Sequence, residues 1–290
     1  MKAFLLMTTA LVVCSSGAFA ADLAVYDEPV IAPASEALTG YVELGGQAVS
    51  WMNSEESDGN ASGLFGGFGL WYNSGSFRLG VDGYADYLTG QNGVDDVPEG
   101  VQVLGLHAGA NIDELYFGAF GSVGRAPDEY NEAYLTGYTV GVEGKADIGN
   151  ATLFAHAGYA DTVIVDGYSG FTGTFGDVGV AMNLTDDFAV MVKGGIGYAP
   201  IRFEDDQGSG TYATAEIKGL YLLPTEFPLA LTASYEFGAF IANSEDTGYT
   251  HTFKVGLSVP FGAATAKDAL NVLATTTTPY RAASWGEKLD

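Results

Sequence analysis

The chain has 290 residues, 47% of them apolar, only 16% charged and 41 of them glycine, so charge is scarcer and glycine more abundant than in an average soluble domain. Thirty-six acids against eleven Lys and Arg give a net charge of −25, a balance that excludes the phosphate neutralisation on which nucleic-acid binding depends. Aromatic residues at 13% exclude a disordered polymer.

In chain order, residues 1–20 read as a secretory signal peptide. Lys2 gives the positive start, residues 3–13 the apolar centre, and Ala18-Phe19-Ala20 the small-x-small cleavage site. The apolar part is too short for a membrane helix. The single cysteine, Cys14, lies inside this segment, so the expected mature chain has no disulfide, no catalytic thiol and no cysteine-ligated metal. Residues 21–37 hold two prolines and four acids without periodicity and read as a periplasmic linker.

From Thr39 the sequence alternates with period two in twelve segments: 39–51, 62–72, 76–87, 100–112, 115–125, 134–148, 151–164, 172–184, 188–200, 211–223, 228–242 and 249–261. Short turns fall at Asn73-Ser74-Gly75, Asp113-Glu114, Gly149-Asn150, Thr185-Asp186-Asp187 and Pro224-Thr225-Glu226, and longer polar loops separate the hairpins. Short turns at one end and long loops at the other are the layout of a transmembrane barrel.

The segment charges share one parity. Arg78, Asp82 and Asp86 oppose Phe77, Leu79, Val81 and Tyr87; Glu143, Lys145 and Asp147 oppose Tyr138, Val140, Val142 and Ile148; Glu216 and Lys218 oppose Ile217 and Tyr221. With Glu43, Asp177, Lys193, Glu236 and Lys254 they place eight acids and five bases on a polar face, and the apolar face is expected to carry none. No long amphipathic helix remains to cover the apolar face, so lipid covers it, and closure satisfies the backbone. The expected fold is therefore all-β: a transmembrane antiparallel up-and-down β-barrel of about twelve strands over residues 38–261. Aromatics near the segment ends fit interfacial girdles: Trp51, Tyr87, Tyr134, Tyr198 and Tyr249 at one end, Tyr41, Tyr72, Phe117, Phe188 and Phe261 at the other.

The signal segment, the alternating region and the apolar closing segment ending in Phe261 resemble porin-like outer-membrane β-barrel proteins of Gram-negative bacteria. The acidic, proline-containing start resembles the alphaproteobacterial members. The resemblance implies an outer-membrane location, contact with lipid and lipopolysaccharide, and recognition of the terminal aromatic by the outer-membrane assembly machinery. Family members usually end at that aromatic, whereas this chain continues to Asp290. The tail 262–290 is expected in the periplasm, with a short helix at 264–273 and a spacer at 275–279.

Catalytic chemistry has little to build on. The three histidines, His107, His156 and His251, lack the His-x-Ser pairing of outer-membrane phospholipases and deacylases, and His107 and His156 are expected as polar filling of the lumen. No enzyme activity, cofactor or metal site is expected. Glu204-Asp205-Asp206 reads as a solvated acidic loop rather than a Ca²⁺ or Mg²⁺ site. The informative feature is the charged inner face, where antiparallel pairing is expected to set Lys193 near Asp177 and Lys254 opposite Glu236, itself facing Glu216. Small inner side chains and a strand number between filled and open barrels favour a narrow diffusion channel for small hydrophilic solutes. Mouth loops bearing Glu55, Glu56, Asp95, Asp96, Asp128, Glu129, Glu204, Asp205 and Asp206 make that channel cation-preferring. The alternative is a closed structural or surface-interaction barrel without transport.

Overall fold

The computed structural model describes residues 36–53, 59–90, 100–127, 134–163, 172–202, 207–242, 246–263 and 265–281. The expected signal peptide, the linker through residue 35 and the acidic mouth loops lie outside the described residues.

Twelve strands follow one another: β1 Glu36–Asn53, β2 Gly59–Ser74, β3 Phe77–Gly90, β4 Gln102–Ile112, β5 Leu115–Pro127, β6 Tyr134–Ile148, β7 Ala151–Val163, β8 Thr172–Asn183, β9 Phe188–Arg202, β10 Gln207–Leu222, β11 Ala230–Ala242 and β12 Asp246–Phe261. Each pairs antiparallel with its sequence neighbours, and β1 pairs with β12 from Gly40↔Phe261 to Asn53↔Gly248, closing the barrel. Closure leaves no sheet edge and satisfies the ladder without water, which the hydrocarbon interior demands. The short connections fall where expected. Gly75, Asp113 and Gly149 take positive φ of 54°, 53° and 60°, the left-handed geometry that a two-residue hairpin turn requires.

The outer face is apolar along the whole wall. Leu64, Leu106, Val142, Val178 and Ile196 are each more than 60% exposed, a belt that water would not tolerate and lipid would solvate. At eleven residues or more, every strand reaches the roughly 9–11 residues needed to cross a bilayer. Tyr72, Tyr87, Phe117, Tyr198 and Tyr249 face outward near strand ends, as the girdle reading expects.

Three expectations need correction. Trp51 is only 1% exposed and Tyr41 lines an internal cavity; both share the inward parity of Glu43 and Gln47, so neither belongs to a girdle. The outer face is also not free of charge. Arg125 donates to Gln102 (2.8 Å), and Asp161 accepts from Thr172 (2.8 Å), at outward positions close to the long-loop ends of β5 and β7, where the membrane gives way to water. Most consequentially, the tail does not leave the barrel. Its described part, 265–281, runs inside it.

The tail enters at the short-turn end. In place of the expected helix over 264–273, only a 3-10 turn forms, η1 Asp268–Leu270, ended by Asn271 in the left-handed region (φ 43°). The cramped lumen sets this limit, because apolar groups must be met on several sides within one turn. Ala266, Ala269 and Leu270 pack against Phe154, Ala181, Met191 and Leu220, all inward-facing near the turn end. Leu273 is buried between Trp71 and Tyr116. The chain then extends through Ala274–Thr277 and ends its described course in one helical turn at 278–281, where Tyr280 packs on Val101 and Val103. From Phe77 at the foot of β3 to Asp86, which holds Arg281, the climb is about 20–25 Å at 3.3 Å per residue and the usual barrel tilt. The tail thus occupies most of the lumen's height.

Candidate functional site

All thirteen charged residues singled out from the sequence lie on the inner face, because β-strand parity leaves them no other direction. Neighbouring strands then join them into two walls.

On one wall a chain of acids and histidines spans six strands, β3 to β8. His107 on β4 contacts Asp82 on β3 through Nε2 (3.0 Å) and Glu143 on β6 through Nδ1 (2.8 Å). Glu143 also accepts from the Tyr116 hydroxyl (2.7 Å), and His156 on β7 contacts Asp177 on β8 (2.7 Å). Nearer the turn end Lys145 donates to Asp147 (2.9 Å). The opposite wall carries matched pairs: Lys193 with Glu216 (3.1 Å) and Lys218 with Glu43 (2.9 Å).

Two expected pairings prove diagonal rather than direct. Lys193 stands opposite Gly179 and Glu216, not Asp177, which faces Gly195. Lys254 stands opposite Ser234, one diagonal step from Glu236, and donates to the Tyr84 hydroxyl (2.9 Å). The β8–β9 register centres on Asp186 as expected, which leaves Lys193 and Asp177 as diagonal neighbours; in β11–β12 the pairing slides by two residues, which moves a partner along without changing its face. Glu216 and Glu236 do face one another.

The tail is tied to these walls by side chains that no strand pattern could identify. Thr275 donates its backbone N–H (2.7 Å) and its hydroxyl (2.8 Å) to Asp82. Tyr280 and Ser122 share a hydroxyl hydrogen bond (2.8 Å). Lys267 pairs with Asp147 (3.5 Å) and takes the Asn183 side-chain oxygen through its backbone N–H (2.7 Å). The Arg281 guanidinium is paired with Asp86, whose other oxygen accepts from the Val101 backbone N–H (2.6 Å). Burial opposes the charge on Arg281, but Asp86, Tyr84 and Glu236 together raise its pKa above the ordinary arginine value. That anchor therefore stays cationic at every pH a cell envelope meets.

Cavities remain beside the tail among the described residues. One, of about 130 Å³, separates it from the lysine–glutamate wall and is lined by Glu43, Lys193, Glu216, Glu236 and Lys254. Another, of about 300 Å³, opens at the turn end near Arg78, Lys145 and Asp147.

Thr275, His107 and Glu143 resemble a hydroxyl–imidazole–carboxylate relay, with Thr275 Oγ1 3.2 Å from His107 Nε2. The surroundings oppose that chemistry. Both ring nitrogens face carboxylate oxygens, and the Thr275 hydroxyl donates to Asp82, so ring and hydroxyl are each engaged by an acid rather than by one another. Among the described residues no group of three or more His, Cys, Asp or Glu side chains is placed to hold a metal ion.

No protein-family model matches the chain, and no curated protein matches it in sequence. Among solved structures, an outer-membrane channel from Pseudomonas putida F1 aligns with a TM-score of 0.55 at 10% identity, over 81% of this chain and 100% of that one. The outer-membrane channel DcaP of Acinetobacter baumannii gives 0.44 at 12% identity, over 79% and 99%. The translocator domain of the autotransporter NalP from Neisseria meningitidis gives 0.42 at 13%, over 79% and 90%. The likeness to the first is one of fold. Together with the apolar outer belt and the closed ladder, it gives this chain the fold of a transmembrane β-barrel of the outer-membrane type.

Proposed function

We propose that this protein is an outer-membrane channel for small hydrophilic solutes, that its own C-terminal tail closes the lumen, and that it prefers cations when the tail withdraws. The observation that carries this reading is the inner face. Its charged and hydroxyl side chains bind the tail's upper half through hydrogen bonds and ion pairs, contacts that water can replace at little net cost. Apolar packing is densest at the turn-end root of the tail, with Tyr280 on Val101 and Val103 adding an apolar contact in the upper half. The short-turn end, where the tail enters, belongs in the periplasm, the side from which outer-membrane barrels carry their short turns.

Conductance in planar bilayers tests it. The intact chain is expected to give rare or small openings, and a chain ending at Gly262 is expected to give sustained current. Silence from both forms would overturn the channel reading in favour of a closed structural barrel. That second reading draws on the burial of Ala269, Leu270 and Leu273, which gives the tail a stabilising role of its own.

A further inference from the structure

We infer that the cavity at the turn end is a binding site for a small oxyanion, a phosphate or a carboxylate group, built jointly by the barrel and the tail. The inference stands on the geometry of that cavity and does not rest on the channel reading.

Arg78 is the centre of the argument. Its guanidinium lies over the Trp71 ring (4.6 Å to the centroid) and near that of Tyr116 (5.5 Å), which fixes its plane. Among the described residues it has no ion pair and no hydrogen bond. The acids whose field reaches it, Glu143 and Asp147, are engaged elsewhere: Glu143 by Tyr116 and His107, Asp147 by Lys145 and Lys267. Its Nε is buried without an acceptor, and so is the indole Nε1 of Trp71 beside it. Both residues line the same cavity of about 300 Å³, with Lys145 and the tail's Lys267 on its wall.

Two orphaned N–H donors and an uncompensated guanidinium in one cavity call for an acceptor, because a buried charge without a partner is far costlier than a paired one. A planar guanidinium fork matches the oxygens of a carboxylate or phosphate. Around the cavity three cations, Arg78, Lys145 and Lys267, face Asp147 and Asp268; Asp268 is exposed and turned to the Thr265 hydroxyl (2.8 Å). One positive charge is left over. Because Lys267 and Leu273 belong to the tail, the site is complete only when the tail is docked, so an anion bound there holds the tail in place.

Full-length protein refolded in detergent would be titrated with inorganic phosphate, and separately with acetate, against chloride at constant ionic strength. Thermal unfolding and trypsin cleavage at Arg281 would be followed. At least one of the two anions should raise Tm saturably and slow the cleavage, and which one does so tells a phosphate site from a carboxylate site. Arg78→Gln should abolish both effects. Lys267→Gln, which leaves the strands untouched, should raise the half-saturating anion concentration by roughly tenfold, as expected for a lost charged contact. A response no greater than chloride's for both anions, or one that survives in both variants, would overturn the inference.

Discussion

Gly124 faces inward on β5 where the ring of Tyr280 crosses it. A Cβ added there would have three atoms of that ring as its nearest neighbours, at 2.6–2.9 Å, so the position has room for the tail only because it has no side chain. Valine suits a strand, so Gly124→Val should leave the barrel folded and drive Tyr280 off Ser122. Overpacking of this kind costs about 1–3 kcal/mol, roughly a 5- to 150-fold shift of the docking equilibrium. Trypsin reads that shift directly, since Arg281 is only 5% exposed when docked and is cut once it is free. Unchanged cleavage of Gly124→Val would mean that Tyr280 is not what holds the tail. Gly80 plays the matching part inside the wall: its missing side chain lets the Trp71 ring lie flat across it, with ring atoms 2.1 Å from where a Cβ would stand. That placement in turn buries Leu273 and supports Arg78. Neither role could be read from the glycine content, because each depends on which ring arrives from another strand or from the tail.

At the scale of a strand, parity was the strongest signal, and β6 tests it most sharply. Val140 is half exposed on the outer face, and Thr139 is 1% exposed inside, bonded to Ser122 beneath Tyr280. Val140→Arg should cost about 2–4 kcal/mol of folding in lipid if it sits near the midplane. Thr139→Arg should insert nearly as well as the unsubstituted chain but evict Tyr280. The sequence alone suggests simple tolerance there, since it places Thr139 in the lumen without revealing the tail above it. Folding yield in vesicles separates the two variants, and equal yields would refute the assignment of faces. Strand order, turn positions and the inward set of thirteen charges were legible because period two needs only local information. Ion partners were less so, because parity does not separate direct from diagonal neighbours and a small change in a connection slides one strand along the next. The tail's docking left a trace that the alternation reading passed over. Phe154, Met191 and Leu220 hold inward positions that a water-filled lumen has no use for, while Ala266, Ala269, Leu270 and Leu273 follow one another at helical spacing. Two apolar surfaces without assigned partners, one inside the barrel and one on the tail, were a match waiting to be made.

For the molecule as a whole, the tail changes the charge of the lumen as well as its width. The bare inner face has eight acids and five bases, an excess of three acids. Docking adds Lys267 and Arg281, each on an acid, and Asp268 at the turn end, and the excess falls to two, counting nine acids against seven bases. A lumen of one sign gathers counter-ions and excludes co-ions, most strongly where low-dielectric walls focus the field. Withdrawal of the tail should therefore widen the path and sharpen its preference for cations at the same time. The acidic mouth loops are common to both states, so the difference between a chain ending at Gly262 and the intact chain isolates the lumen. Reversal potentials in a salt gradient should show the shortened chain more cation-selective than the intact one. The gap should shrink as salt rises, because the Debye length falls from about 10 Å at 0.1 M to about 3 Å at 1 M. Gly124→Val supplies the control that keeps every tail residue, and its selectivity should lie between the two. Equal selectivity in all three would place the filter in the mouth loops. An anion-preferring shortened chain would overturn the account of the inner face itself.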